Sequence, residues 1–186
     1  MSFTVRLRKF IRWWLRLRPA AIPSLLLQWM DAFRDEDRAT KRMDDAQFGP
    51  IWRNPRGAWR GKILFSPTDS EVSLYLRGGD DCPTDWHRRC FAELVRRYPE
   101  LRKEMEVPLW TEYEEIRQSW DLECRALAAP EQIWEVASLF AIEINGEQST
   151  SGIDLSLDHQ IDWDNEDHDL NVFIKDWHVL EVAMEG

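Results

Sequence analysis

Cysteine is scarce in this 186-residue chain: Cys82, Cys90 and Cys124 are the only three, and no two form a C-x-x-C pair. An odd count without paired spacing argues against a disulfide framework and against a zinc site, and is what reduced, buried thiols would give. Glycine is also sparse, at eight residues, and none stands in G-x-G-x-x-G, G-x-x-x-x-G-K-[ST] or G-x-S-x-G. Loops that cradle phosphate and elbows that present a serine nucleophile are therefore missing. The longest apolar run near the start, residues 20–27, is broken by Pro23 and is too short to span a bilayer. It follows a basic stretch, but Gln28-Trp29-Met30-Asp31 offers no small-residue cleavage site. The expectation is an unsecreted, cytoplasmic protein. No catalytic residue, metal ligand set or cofactor can be assigned, and the leaning is away from an enzyme.

What is present in excess is tryptophan, with eleven residues. Each indole wants an apolar site and a partner for its N–H, so several belong in a core and some can form a binding surface. With 44% hydrophobic and 31% charged residues the composition is that of a globular chain. The net charge of −10 is unevenly placed. Residues 1–18 hold six basic residues and no acid, which leaves 18 basic and 34 acidic residues in the rest, a net of −16. A body this acidic is unsuited to nucleic acid and suited to steering toward a basic protein.

The chain divides into residues 1–45, a basic amphipathic helix and charged linker, and residues 46–186, a single α+β domain. In the first segment Phe3, Leu7, Phe10, Trp14 and Leu17 recur at helical spacing, with Arg8, Arg12 and Arg16 opposite. Such a helix suits docking on its own domain, on a sister chain in a homodimer, in a partner groove, or on an anionic membrane surface. Residues 31–45 alternate in charge and read as a solvated helix or linker. Two strand-like runs, 59–66 and 71–77, are joined by Pro67-Thr68-Asp69-Ser70. A helix capped by Thr84 or Asp85 is predicted to run to Tyr98 and stop at Pro99. A second is predicted over 110–127, and a short third begins at Pro130. Period-two segments then follow: Phe140, Ile142 and Ile144; Ile153, Leu155 and Leu157; Leu170, Val172 and Ile174; and a last strand after the Asp176-Trp177 turn. The predicted fold is thus a largely antiparallel sheet, an N-terminal hairpin plus a C-terminal meander, packed on two or three central helices. Trp86, Phe91, Leu94, Trp120, Phe140, Ile142, Leu155, Val172 and Ile174 are expected to share its core.

The densest polar stretch is Asp158 to Asp169. Within it Asp162, Asp164 and Glu166 stand at calcium-loop spacing, but Asp167 occupies the position needing glycine and Phe173 the position needing glutamate. A polar connection is the plainer reading, with a metal-dependent enzyme using residues 158–169 as the alternative. His87 and His178 are expected to be structural or surface groups.

From about Trp59 onward the chain resembles a family of bacterial domains of unknown function. The resemblance rests on Trp59-Arg60-Gly61 with Phe65, on Pro130-Glu131-Gln132-Ile133-Trp134, and on the run from Trp163 to Asp176. In that family a final Asp-Gly turn is usual, and here Trp177 stands in place of the glycine. The resemblance implies an accessory or immunity-type protein of a toxin system. Together with the acidic body and the aromatic excess, it leads to the expectation of a non-enzymatic protein-binding module with a basic partner. The expected contact residues are Asp162, Trp163, Asp164, Glu166, Asp167, His168, Asp169 and Trp177. A peripheral association with the inner membrane through residues 3–18 is the third alternative.

Overall fold

The computed structural model describes residues 39–79, 81–119, 125–147, 149, 152–159 and 169–185. They lie in one compact unit, Arg38–Gly186. Eight strands form one sheet whose spatial order follows the chain: β1 (Lys41–Asp45), β2 (Gly49–Arg53), β3 (Trp59–Phe65), β4 (Ser70–Leu76), β5 (Ala137–Ile144), β6 (Ile153–His159), β7 (Asp169–Lys175) and β8 (His178–Glu185). Every neighbouring pair is antiparallel except β4 and β5, which run parallel with Leu74 opposite Ile142. A parallel pair needs a long return. It is supplied by one helix, α1 (Asp85–Ser119), and a short 3-10 helix, Pro130–Glu135.

The expectation of two or three central helices is therefore wrong. The predicted stop at Pro99 does not occur, because α1 runs through both Pro99 and Pro108. A proline inside a helix frees the carbonyl four residues back and ordinarily kinks or ends the helix. Here Pro99 is exposed, on the solvent side of α1. The buried stripe Leu94, Tyr98, Leu101, Met105, Leu109, Tyr113 and Ile116 continues past both prolines without a change of phase. Burial of that stripe is what holds the helix in one piece. The third predicted helix is the 3-10 helix, with Pro130 in its first turn.

The expected N-terminal hairpin is a four-stranded meander, β1 to β4. Its first strand lies in residues read as linker. Lys41-Arg42-Met43-Asp44-Asp45 has one apolar residue, as an edge strand protected by charge can have. The Asp45 carboxylate accepts from the backbone N–H of Gln47 and Phe48 and from Arg88 Nη2 at 2.9, 3.2 and 2.5 Å, fixing the β1–β2 turn against α1.

One face of the sheet packs on α1. Val72, Leu74, Leu76, Ile142, Ile144, Leu155, Leu157, Leu170, Val172 and Ile174 are all buried there, with Phe91 and Leu94 from the helix. Phe65 stacks edge-on against Phe91 and Tyr98, with centroids 6.2 and 4.9 Å apart. Trp86 packs on this core only in part, and Trp120 lies outside the described residues. Phe140 is not in the core. A bulge between Leu139 and Ala141 inserts one residue, so Phe140 faces the side of the sheet away from α1. Across that outer face the register aligns Arg42, Trp52, Arg60 and Tyr75 from the first meander with Glu143, Asp154, Phe173 and Glu181 from the second. One half of the row is cationic and aromatic, the other largely acidic. Among the described residues no helix is long and apolar enough to cross a membrane.

Candidate functional site

Where α1 begins, the strand ends of the second meander come together and leave a cavity of about 220 Å³. Trp86 and Cys90 line it from α1. Gly146, Glu147, Ser149 and Gly152 line it from the β5–β6 connection, and Lys175, Asp176 and Trp177 from the end of β7 and its turn. Ile153 and Ile174 complete the wall.

Each wall is fixed by bonds that the local sequence dictates. At the start of α1 the buried His87 ring accepts the Thr84 backbone N–H at Nδ1, 2.9 Å, and lies 3.0 Å from the Thr84 hydroxyl. A nitrogen that accepts from an amide carries no proton, so Nε2–H is the donor and bonds the Arg77 carbonyl at 2.9 Å. His87 thus ties the first turn of α1 to the end of β4. One residue earlier, Trp86 Nε1–H donates to the Asn145 carbonyl at 2.9 Å, which sets the indole against the end of β5. The connection after β5 is closed at its base by Asn145 N–H to the Gly152 carbonyl, 3.0 Å. Gly152 admits no side chain, since a Cβ there would sit 2.7 Å from the Ile174 carbonyl oxygen.

The opposite wall is the two-residue turn between Lys175 and His178. Asp176 and Trp177 both have positive φ, 50° and 67°. This is the primed turn favoured in tight hairpins, and its second position strongly prefers glycine. A tryptophan there costs roughly 1–3 kcal/mol of backbone strain. The indole is held by contacts made on α1: Arg97 lies over its ring, 5.4 Å from the centroid. Arg97 is itself bonded to Glu93, whose carboxyl is drawn down to about 2 by the guanidinium groups of Arg96 and Arg97. Two helical turns further, Glu104 accepts the Val179 N–H at 2.9 Å.

Burial pushes the Cys90 thiol up to about 11, so no thiolate forms near neutral pH. His87 has both ring nitrogens occupied and no exposed surface. Among the described residues no group of three or more His, Cys, Asp or Glu is placed to hold a metal ion.

The domain of unknown function DUF6985 matches residues 47–185. The chain belongs to this family. The DUF6985 match runs from the β1–β2 turn to the end of β8, so it leaves out β1 and takes in β2 to β8, α1 and every wall of the cavity. No curated protein and no solved structure matches the chain.

Of the residues singled out in the sequence, Asp162, Trp163, Asp164, Glu166, Asp167 and His168 lie outside the described residues, as do Phe3, Leu7, Arg8, Phe10, Arg12, Trp14, Arg16 and Leu17. The two that are described are not together. Asp169 opens β7 and Trp177 follows its far end, about 25 Å away at the rise of an extended strand. Asp169 lines a different hollow of about 300 Å³, on the outer face, with Arg60, Tyr75, Arg77 and Glu143. There Arg60 lies 4.6 Å over the Tyr75 ring and Arg77 pairs with Glu143. The cavity between the indoles is the stronger candidate. Sequence reading missed Trp86, Glu147 and Asp176 as its parts. The one legible signal was Trp177 in a turn that should end in glycine.

Proposed function

We propose that this DUF6985 chain is a protein-binding module without chemistry of its own, and that its partner is a basic protein. The carrying observation is Trp177, an indole kept at a turn position that favours glycine and forming one wall of a cavity with Trp86. Indoles in pockets are the residues that dominate binding hot spots. The net charge of −16 over residues 19–186 would speed encounter with a basic partner, and the acidic stretch from Asp162 to Asp169 adds to that field without having to touch the cavity. A raised Cys90 thiol and a fully engaged His87 favour binding over catalysis at this place. In this reading the chain is a cytoplasmic accessory partner, of the kind that immunity proteins represent.

The test is affinity capture from the native cell with the wild-type chain and with Trp86→Ala as baits, both checked for folding by circular dichroism. The expected result is a basic protein held by the wild type, released by salt and absent from the Trp86→Ala bait. Equal retention on both baits, or no basic protein on the wild type, overturns the proposal.

A further inference from the structure

We infer that the cavity between Trp86 and Trp177 receives one cationic side chain, a lysine or an arginine of the partner; this rests on the protein-binding reading above. Size comes first. At about 220 Å³ the space is below the range of about 300–1,000 Å³ typical of small-molecule sites and suits a single long side chain. Cys90, Ile153 and Ile174 are buried and apolar, a floor for a methylene stem. The walls include two indoles, whose faces attract a cation. The carboxylates of Glu147 and Asp176 stand at the exposed rim.

The protein already demonstrates this affinity on itself, because the Arg97 guanidinium lies over the Trp177 ring. Arg97 does not line the cavity, so its position leaves the cavity side of the indole to another group. Three features oppose a cation. Lys175 is also at the rim, the Arg89 guanidinium acts on the Cys90 thiol from α1, and the N-terminal end of α1 carries a partial positive charge. Asp85 in the first turn offsets the helix end, Arg89 does not line the cavity, and among the lining side chains two carboxylates face one ammonium. An acidic or purely apolar guest would leave the rim carboxylates opposed or unused.

The measurement is two-dimensional NMR of the Trp86 and Trp177 indole N–H signals in the full chain. Four blocked amino acids are titrated: the N-acetyl amides of arginine, lysine, norleucine and glutamate. Saturable shifts are expected with arginine and lysine alone. The pair Glu147→Gln with Asp176→Asn should weaken them roughly fivefold, in line with two partly exposed ion pairs. Both groups are exposed and asparagine tolerates the positive φ at 176, so this variant is expected to keep its fold. Norleucine binding as well as lysine, glutamate binding better than either cation, or no shift with any probe would each overturn the inference. Its failure is separable from that of the wider reading. Capture of a basic partner with silent probes places the anchor elsewhere, whereas probe binding without a captured protein removes the partner and leaves the cation site.

Discussion

If Trp177 is strained in its turn, replacing it by alanine and by glycine must give an unusual order of stability. Both changes remove the same indole. Full burial of a tryptophan covers about 150–250 Å². Trp177 is half-buried, so at about 25 cal/mol per Å² the lost contact is worth roughly 2–3 kcal/mol. Alanine keeps the penalty of a left-handed residue, about 1–2 kcal/mol, whereas glycine carries almost none. Trp177→Gly should therefore lie only about 1 kcal/mol below the wild type, and Trp177→Ala about 2–3 kcal/mol below it. At an ordinary strand position the order is reversed, with glycine the worse by roughly 0.5–1 kcal/mol. The sign of the alanine–glycine difference thus isolates the backbone from the side chain. Urea unfolding followed by circular dichroism reads it directly, and the thermal midpoints should differ by about 2–8 °C for a chain of this size. Alanine equal to or more stable than glycine would refute the claim that position 177 is held in the left-handed region at a cost.

Two further outcomes are expected. Burial depresses the His87 pKa below 6.5, and its proton-free Nδ1 holds the Thr84 N–H, so the native state resists a proton that the unfolded chain accepts. Stability should be complete above about pH 6.5 and fall as the pH drops below it toward the folded pKa. His87→Gln should flatten that part of the curve, and an unchanged slope between pH 7 and 5 would count against this role. Leu155→Ala should cost roughly 2–5 kcal/mol, because Leu155 has no exposed surface, whereas Phe140→Ala on the outer face should cost clearly less. Equal losses in denaturant would show that the bulge does not turn Phe140 outward.

Much of the second meander was legible because Ile142 and Ile144, Leu155 and Leu157, and Val172 and Ile174 recur at a period of two, the pattern of a half-buried sheet. What a period cannot reveal is an inserted residue, and the bulge at Phe140 shifted one side chain to the other face without disturbing the apolar spacing after it. The helix was misjudged for a related reason. Proline speaks for a break locally, but the stripe from Leu94 to Ile116 is a longer-range signal, and burial along the whole sheet outweighs two missing backbone bonds. Strand β1 could not be read at all, since a charged edge strand takes its conformation from its neighbour and not from its own side chains. The cavity was invisible because its walls come from α1, the β5–β6 connection and the final turn, far apart in sequence. Only the misfit of a tryptophan in a tight hairpin marked it.

The parallel junction of β4 and β5 has a consequence for how the molecule assembles. Each meander consists of strands that follow one another through connections of nine residues or fewer, so each can pair its own strands early. Joining them requires Leu74 to find Ile142 across the whole of α1 and the 3-10 helix. Closing so long a loop is an entropic barrier that no nearby contact repays. The meeting of the two halves is then the slow event. Residues at the seam should govern how fast the chain folds, and those within either meander how long it stays folded. The cavity draws its walls from α1 and the second meander, but His87 ties the first turn of α1 to the end of β4, so the Trp86 wall takes its final place with that event.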